Sequence, residues 1–275
     1  MATAEDVNAI CKEIREKYSP CDVSDALFRL NVPGAGFLPD ICSPPPHLHP
    51  TNPISTSLTN PTQPSSAPIP SRTQGTNRLV APISTVLFVP LAAFPVLPLQ
   101  TQNPAFPPWT SNLPANKHWT DLPPAGSIVV LQQPPGQTVA LLGDIVATRL
   151  KVRGVLGAVI DGRARDVVAC GALCADGGFG VYSRGLSAVG TSLEAKPWAV
   201  DVPLTIGGVR VEAGDVLCAD EGEGVVCVIP RGRLGEVVAL LPGLKEADEG
   251  VLRDVQNGVD FGTAVARHSR FYANP

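Results

Sequence analysis

The chain lacks a basic block. Lys and Arg total 21 against 25 Asp and Glu, a net charge of −4. Phosphate binding needs clustered cations, so the balance argues against nucleic acid as a partner. Histidine is scarce, with four in all, and His47, His49 and His118 fall in a proline-rich region. The cysteines therefore have no nearby His, and Cys170-x-x-x-Cys174 with Cys218 and Cys227 lacks the close pairing of a zinc site. Buried thiols are the expected reading. No membrane span is expected: the run from Val86 to Leu99 is short and holds three prolines. The opening MATAEDVNAICKEIREKY is amphipathic and charged, unlike a signal peptide. There is no G-x-S-x-G, which leaves a hydrolase triad unsupported. Gly177-Gly178-x-Gly180 precedes a strand pattern rather than a helix, which argues against a dinucleotide site. No internal repeat is visible.

What remains is a chain of 275 residues, 44% hydrophobic, long enough to bury a sizeable core in one large domain or two small ones. Small molecules or other subunits are the partner classes left. Seven cysteines, an odd number at irregular spacing, read as reduced thiols in a cytoplasmic protein. Proline divides the sequence, with 21 of 29 between Pro44 and Pro135. Ser43 to Asn77 is rich in Pro, Ser, Thr and Asn and has almost no core-type residues, so it reads as a disordered or loosely attached insertion. A second proline-rich loop, Pro95 to Pro124, carries Trp109 and Trp119 and is expected to pack against something.

The flanks read as folded. Val7, Ile10, Cys11 and Ile14 give Ala4 to Tyr18 a helical spacing. The oxygens of Asp22, Ser24 and Asp25 ahead of Leu27 signal a helix start, with Ser24-Asp25 as a cap first and a site contributor second. Arg78 to Val89 reads as a strand with a proline bend, and Ser127 to Gln132 as another. From Val139 the pattern is α/β. Helices are expected over 143–153, 165–174, 231–241 and 245–256. Strands are expected over 155–160, 179–183, 199–204, 209–211, 216–219 and 225–229. Short strands, glycine turns and flanking helices predict an α/β fold: a β-barrel or sandwich core with helices packed outside. Asp220-Glu221-Gly222-Glu223-Gly224 is a tight acidic turn, read as a hairpin ahead of an acid cluster beside the site.

One spacing carries chemistry. Asp144 is followed, after twenty residues, by Arg165-Asp166. This puts a carboxylate at one βα corner and an adjacent guanidinium and carboxylate at the next. A hard divalent cation takes oxygen ligands, keeps several waters and needs only one or two carboxylates. Asp166 is the candidate metal ligand, and Asp144 is placed to hold a water and take its proton. Arg165 can pair bidentately with a substrate carboxylate. Gly143 turns into a helix whose first amides, at Ile145 and Val146, form an anion site. Such a constellation suits metal-assisted chemistry on a keto acid. The competing reading is that acids and Arg at such corners are helix caps and surface ion pairs. Lys151 and Lys196 are weaker candidates, for a Schiff base.

The segments YSPCDVSDALFRL, ALLGDIVATRLKVRGVLGAVIDGRARD, VYSRGLSAVGTSLEAK and AGDVLCADEGEGVVCVIP resemble the RraA-like family. That family includes the class II 4-hydroxy-4-methyl-2-oxoglutarate aldolases, which are also oxaloacetate decarboxylases. Its aldolase signature is an Asp, twenty residues, then Arg-Asp, and Asp144, Arg165 and Asp166 fit it position by position. The resemblance covers nearly the whole chain except the proline-rich insertion. It implies a single RraA-like domain over 1–275 with the swivelling phosphohistidine-domain fold, and a trimer or hexamer with sites at subunit interfaces. It implies that Asp166 contacts Mg²⁺ or Mn²⁺. It also implies that Arg165 binds the carboxylate and keto oxygen of a pyruvate-like unit, that Asp144 positions a metal-bound water, and that the Ile145 and Val146 amides hold the substrate carboxylate. The expected activity is retro-aldol cleavage of a 4-hydroxy-2-oxo diacid, decarboxylation of oxaloacetate, or both. Pyruvate would leave through a metal-stabilised enolate. The family also holds members named as ribonuclease inhibitors, which can lack the first Asp. A non-catalytic oligomeric binding protein is accordingly the alternative expectation.

Overall fold

The computed structural model describes residues 4–43, 78–91 and 110–268. The insertion from 44 to 77, the Val86–Leu99 run beyond residue 91, and the second loop up to and including Trp109 lie outside the described residues.

The chain opens with two helices, α1 (Ala4–Lys17) and α2 (Pro20–Arg29). The helix expected to start at Asp22 begins earlier. Ser19 is its N-cap: Ser19 Oγ accepts from Asp22 N–H at 3.2 Å, and Asp22 Oδ2 accepts from Ser19 N–H at 2.7 Å. This reciprocal capping box satisfies two otherwise orphaned donors, and Pro20 at the first position supplies a ready-made φ. Ser24 and Asp25 are therefore not the cap. Ser24 Oγ instead donates to Ala35 O at 3.2 Å.

The long strand β1 (Arg78–Pro90) organises the sheet. It pairs in antiparallel fashion with β9 (Val216–Asp220) through its first residues and with β6 (Ala195–Val200) through its last. In between it runs parallel to β2 (Ile128–Gln132). Next come β3 (Ala140–Leu142), α3 (Asp144–Val152), β4 (Gly157–Ala164), α4 (Val167–Cys174) and β5 (Gly180–Leu186). Strand β4 carries β5 along one edge, and β2 then β3 along the other, all parallel. A separate antiparallel pair, β7 (Leu204–Ile206) and β8 (Val209–Val211), and the strand β10 (Val225–Ile229) complete the β structure. Helices α5 (Leu234–Gln256) and α6 (Phe261–Arg267) follow.

Both faces of the central sheet are covered. Along β2, Val129 and Leu131 face one buried cluster with Leu142, Ala147, Leu150, Ile160 and Cys170, which includes residues of α3 and α4. Ile128 and Val130 face a second, with Ile83, Val159, Tyr182 and Leu204. This alternation, apolar on both sides, is what a parallel strand buried on two faces requires. Helices α1, α2 and α5 pack on β9 and β10 in a third cluster containing Cys11, Leu27, Cys218, Cys227 and Leu241. The fold is thus an α/β sheet core flanked by helices. Trp119 is buried edge-on against Phe88, with ring centroids 5.7 Å apart, so this part of the proline-rich loop does pack on the core.

Several expected boundaries move. The strand over 155–160 continues to Ala164, carrying Asp161 and Arg163 into the sheet. The strand over 199–204 is the end of β6 and the start of β7, broken at Asp201, whose φ is 56°. The helices over 231–241 and 245–256 are one helix, α5, with Pro242 inside it. Pro242 removes one N–H, but Leu234, Val237, Leu241 and Val251 keep a buried stripe across it. Strand β3 and helix α6 were not expected. The acidic turn is the β9–β10 hairpin: Gly224, at φ 67°, donates to Asp220 O, and Asp220 is fully buried in an ion pair with Arg78 at 2.7 Å.

Candidate active site

The C-terminal ends of β3 and β4 lie side by side, with Leu142 paired to Ala164. Each chain turns there into a helix, β3 into α3 and β4 into α4. Arg165 N–H donates to Leu142 O at 2.9 Å, which ties the two corners together. The result brings Asp144, Arg165 and Asp166 to one place, as their spacing predicts.

The two acids stand differently at their helix starts. Asp144 is the first helical residue of α3, after its N-cap Gly143. Asp166 is the N-cap residue of α4, yet its side chain makes no capping hydrogen bond. It stands at φ 55°, ψ 39°, the left-handed region that Asp tolerates better than most residues. Its Oδ2 lies 3.1 Å from Arg165 Nε, with each side chain 40% exposed. An ion pair this open adds little to stability. The capping reading thus fails for Asp166, and the ion-pair reading supplies little energy to account for it; Asp144, by contrast, does satisfy one first-turn amide of α3.

Gly143 makes the close approach possible. A β-carbon there would stand 2.5 Å from Asp166 Oδ2 and 3.1 Å from Arg165 Nε. The backbone of Gly143, at φ −131° and ψ −173°, is open to any residue. Space beside Arg165 and Asp166, not backbone freedom, is what the missing side chain provides. Cys170 reports the same neighbourhood from below. Its thiol is pushed up to about 11, first by burial and then by the charges of Asp166 and Asp144. Both carboxylates therefore act on one point.

The amide pair is only partly as expected. Ile145 N–H donates to Asp144 Oδ1 at 2.7 Å, so it is engaged by the carboxylate beside it. Val146 N–H is a first-turn donor beyond the reach of the intrahelical ladder. The side chain of Ile145 is 77% exposed.

Among the described residues no three His, Cys, Asp or Glu side chains form a closed metal set. A hard cation that retains its waters needs only one or two carboxylates. The uncapped, part-exposed carboxylate of Asp166, with Asp144 close by, fits Mg²⁺ or Mn²⁺ on its donor chemistry. The remaining candidates are engaged elsewhere. Lys151 donates to Leu173 O and Asp176 at the end of α4. Lys196 lies on β6 with its ammonium 5.6 Å from the Trp198 ring centroid. None of the seven cysteines is in a disulfide. Cys174 is pushed up to about 12, chiefly by burial. Sequence reasoning missed Gly190, where a β-carbon would stand 3.0 Å from Arg165 Nη1.

The model of the RraA-like family (Aldolase/RraA) matches residues 21–227, which include both corners of the site. The chain belongs to the RraA-like family. It is 31% identical over 134 residues to a Halalkalibacterium halodurans protein named "Putative 4-hydroxy-4-methyl-2-oxoglutarate aldolase". That match covers 49% of this chain and 60% of the relative, so it spans less than two thirds of the relative's length. Among solved structures, an uncharacterized protein from Pseudomonas syringae pv. tomato superposes at a TM-score of 0.63 with 23% identity, covering 96% of this chain and 98% of that one. Streptomyces coelicolor RraAS2, described as an unusual member of the RNase ES inhibitor RraA protein family, superposes at 0.59 with 20% identity over 90% and 97%. These two likenesses establish a shared RraA-like fold. No helix among the described residues is long and apolar enough to cross a membrane.

Proposed function

We propose that this RraA-like chain is a divalent-metal-dependent lyase acting on small 2-oxo acids. It would cleave the C–C bond of a 4-hydroxy-2-oxo diacid, decarboxylate oxaloacetate, or both, and release pyruvate. The observation that carries the reading is the placement of Arg165 and Asp166 over Gly143, with Asp144 one residue on.

In this reading Asp166 holds Mg²⁺ or Mn²⁺, and the ion, when bound, supplies Lewis-acid polarisation of the keto oxygen. Arg165 offers a planar fork of donors to the substrate carboxylate and keto oxygen, and fixes their orientation. The Val146 amide at the start of α3 adds a donor to that carboxylate, aided by the helix dipole. The Ile145 amide joins it once Asp144 turns away from Ile145 N–H. Asp144 then holds the water that takes the 4-hydroxyl proton. As the 4-oxygen loses its proton its electron pair closes a carbonyl at C4 of the departing oxo acid, and the pair of the C3–C4 bond moves into the 2-oxo group, leaving the enolate of pyruvate, which takes a proton from that water at C3. Oxaloacetate loses CO₂ from the same position and leaves the same enolate, so one site serves both reactions.

The unit responsible is a single RraA-like domain over 1–275, acting in the cytoplasm as a homotrimer or hexamer. Replacement of Asp166 by Ala should abolish metal-dependent pyruvate release. Full activity in that variant contradicts the mechanism. A non-catalytic binding protein on this scaffold predicts no metal-dependent release from any oxo acid.

A further inference from the structure

Gly190 lies in the connection between β5 and β6, at φ −75° and ψ 158°. Every residue adopts this extended conformation, so the backbone does not call for glycine. The surroundings do. A β-carbon on Gly190 would stand 3.0 Å from Arg165 Nη1 and 3.6 Å from its Cζ. Gly143 meets the same side chain from the other end, with its own β-carbon position 3.1 Å from Nε and 3.2 Å from Cγ. Arg165 is thus bracketed by two glycines, at positions where other residues fit the backbone.

The strap carrying Gly190 is fixed. Ser187 N–H donates to Ala164 O at 2.9 Å, and Ala140 N–H donates to Val189 O at 2.8 Å. Thr191 Oγ1 donates to Ala140 O at 2.5 Å, and Gly190 itself forms a parallel bridge with Ala140. These bonds hold the strap to the last residue of β4 and the first residue of β3. A side chain at 190 would therefore move the guanidinium rather than the strap.

We infer that Gly190 is a positioning residue: it leaves the slot that sets where the Arg165 guanidinium meets the substrate carboxylate. The inference deepens the lyase reading and rests on it for the identity of the ligand. A β-carbon at 3.0 Å asks the guanidinium to give a little and the branched side chain of Val asks it to give more, which weakens its bidentate pairing with the carboxylate.

The test compares Gly190→Ala and Gly190→Val with the unaltered protein. Oxaloacetate decarboxylation gives KM and kcat. A ¹H–¹⁵N spectrum follows the Arg165 Nε–H signal, assigned by its loss in Arg165→Lys. The inference predicts a graded effect. In Gly190→Val the Nε–H signal moves and KM rises at least about tenfold while kcat changes less than about threefold, with a smaller rise in Gly190→Ala. The thermal midpoint shifts by less than about 3 °C, because only the tip of a part-exposed side chain must give way. An unmoved Nε–H signal in Gly190→Val overturns the inference, as does an unchanged KM. If the signal moves but the unaltered protein releases no pyruvate, the placement of Arg165 by Gly190 is supported and the lyase reading alone falls.

Discussion

Asp166 Oδ2 lies 2.5 Å from the point where a β-carbon on Gly143 would stand. One corner of the sheet thus leaves out a side chain so that the other can lay its carboxylate across it. Gly143→Ala should therefore damage the site far more than the fold. Alanine suits φ −131°, ψ −173°, and such exchanges change stability by about 1 kcal/mol or less. Turnover should fall at least about tenfold, because Asp166 and Arg165 must both shift. Steady-state kinetics beside a thermal melt check the two halves. A variant with normal turnover contradicts the contact.

Asp166 also separates charge from conformation. At φ 55°, Asn is accepted nearly as well as Asp, whereas Ala pays roughly 1–2 kcal/mol for the left-handed backbone. Asp166→Asn should lose metal-dependent turnover at nearly unchanged stability. Asp166→Ala should lose both. Urea unfolding of the two variants distinguishes them.

The β9–β10 hairpin depends on a buried carboxylate. Asp220 is fully buried, with Oδ2 accepting from Arg78 Nε at 2.8 Å and Oδ1 accepting from Gly222 and Glu223 N–H at 2.8 and 3.2 Å. Asp220→Ala removes all of these and leaves Arg78 uncompensated, at a cost of roughly 3–5 kcal/mol. Asp220→Asn retains an oxygen for the turn and should cost less. Chemical denaturation gives both values.

The thiols predict a pH dependence. Burial is the main cause that pushes Cys11 and Cys170 up to about 11 and Cys174 up to about 12, from an ordinary value of 9.0. The unfolded chain therefore gives up these protons first. Native stability should hold below about pH 9 and fall as pH climbs toward the raised values. A thiol reagent on the native protein at pH 8 should modify exposed Cys21 and Cys42 quickly and buried Cys11, Cys170, Cys218 and Cys227 slowly. Rapid reaction of Cys170 would contradict its burial beneath the site.

The placement of the two corners was legible because it depends on local sequence. Asp144 and Arg165-Asp166 each sit at a strand-to-helix turn, and parallel pairing of β3 with β4 makes those turns neighbours. Gly143 was legible only as the residue that opens the helix; its contact with Asp166 and Arg165, distant in sequence, was not. Nor was Gly190. Its backbone is ordinary, and its role is a contact with a side chain distant in sequence. The cap of α2 reads as Ser24-Asp25 because Asp22, Ser24 and Asp25 all offer oxygens ahead of Leu27, yet Asp22 belongs to the true cap at Ser19. Only the bond of Asp22 back to Ser19 shows that the helix is already under way at Asp22. Strand β3 escaped notice because three apolar residues before a helix give no alternation to read. The two helices expected over 231–241 and 245–256 are one because a continuous buried stripe carries α5 through Pro242.

The most direct measurement is pyruvate release by the purified full chain from oxaloacetate and from 4-hydroxy-2-oxo diacids. It is run with Mg²⁺ or Mn²⁺ and again with excess EDTA, and read by a coupled dehydrogenase. The account predicts release from at least one of these acids with metal, and its loss with EDTA. Release that is unaffected by EDTA, or no release from any of them with either metal, contradicts it.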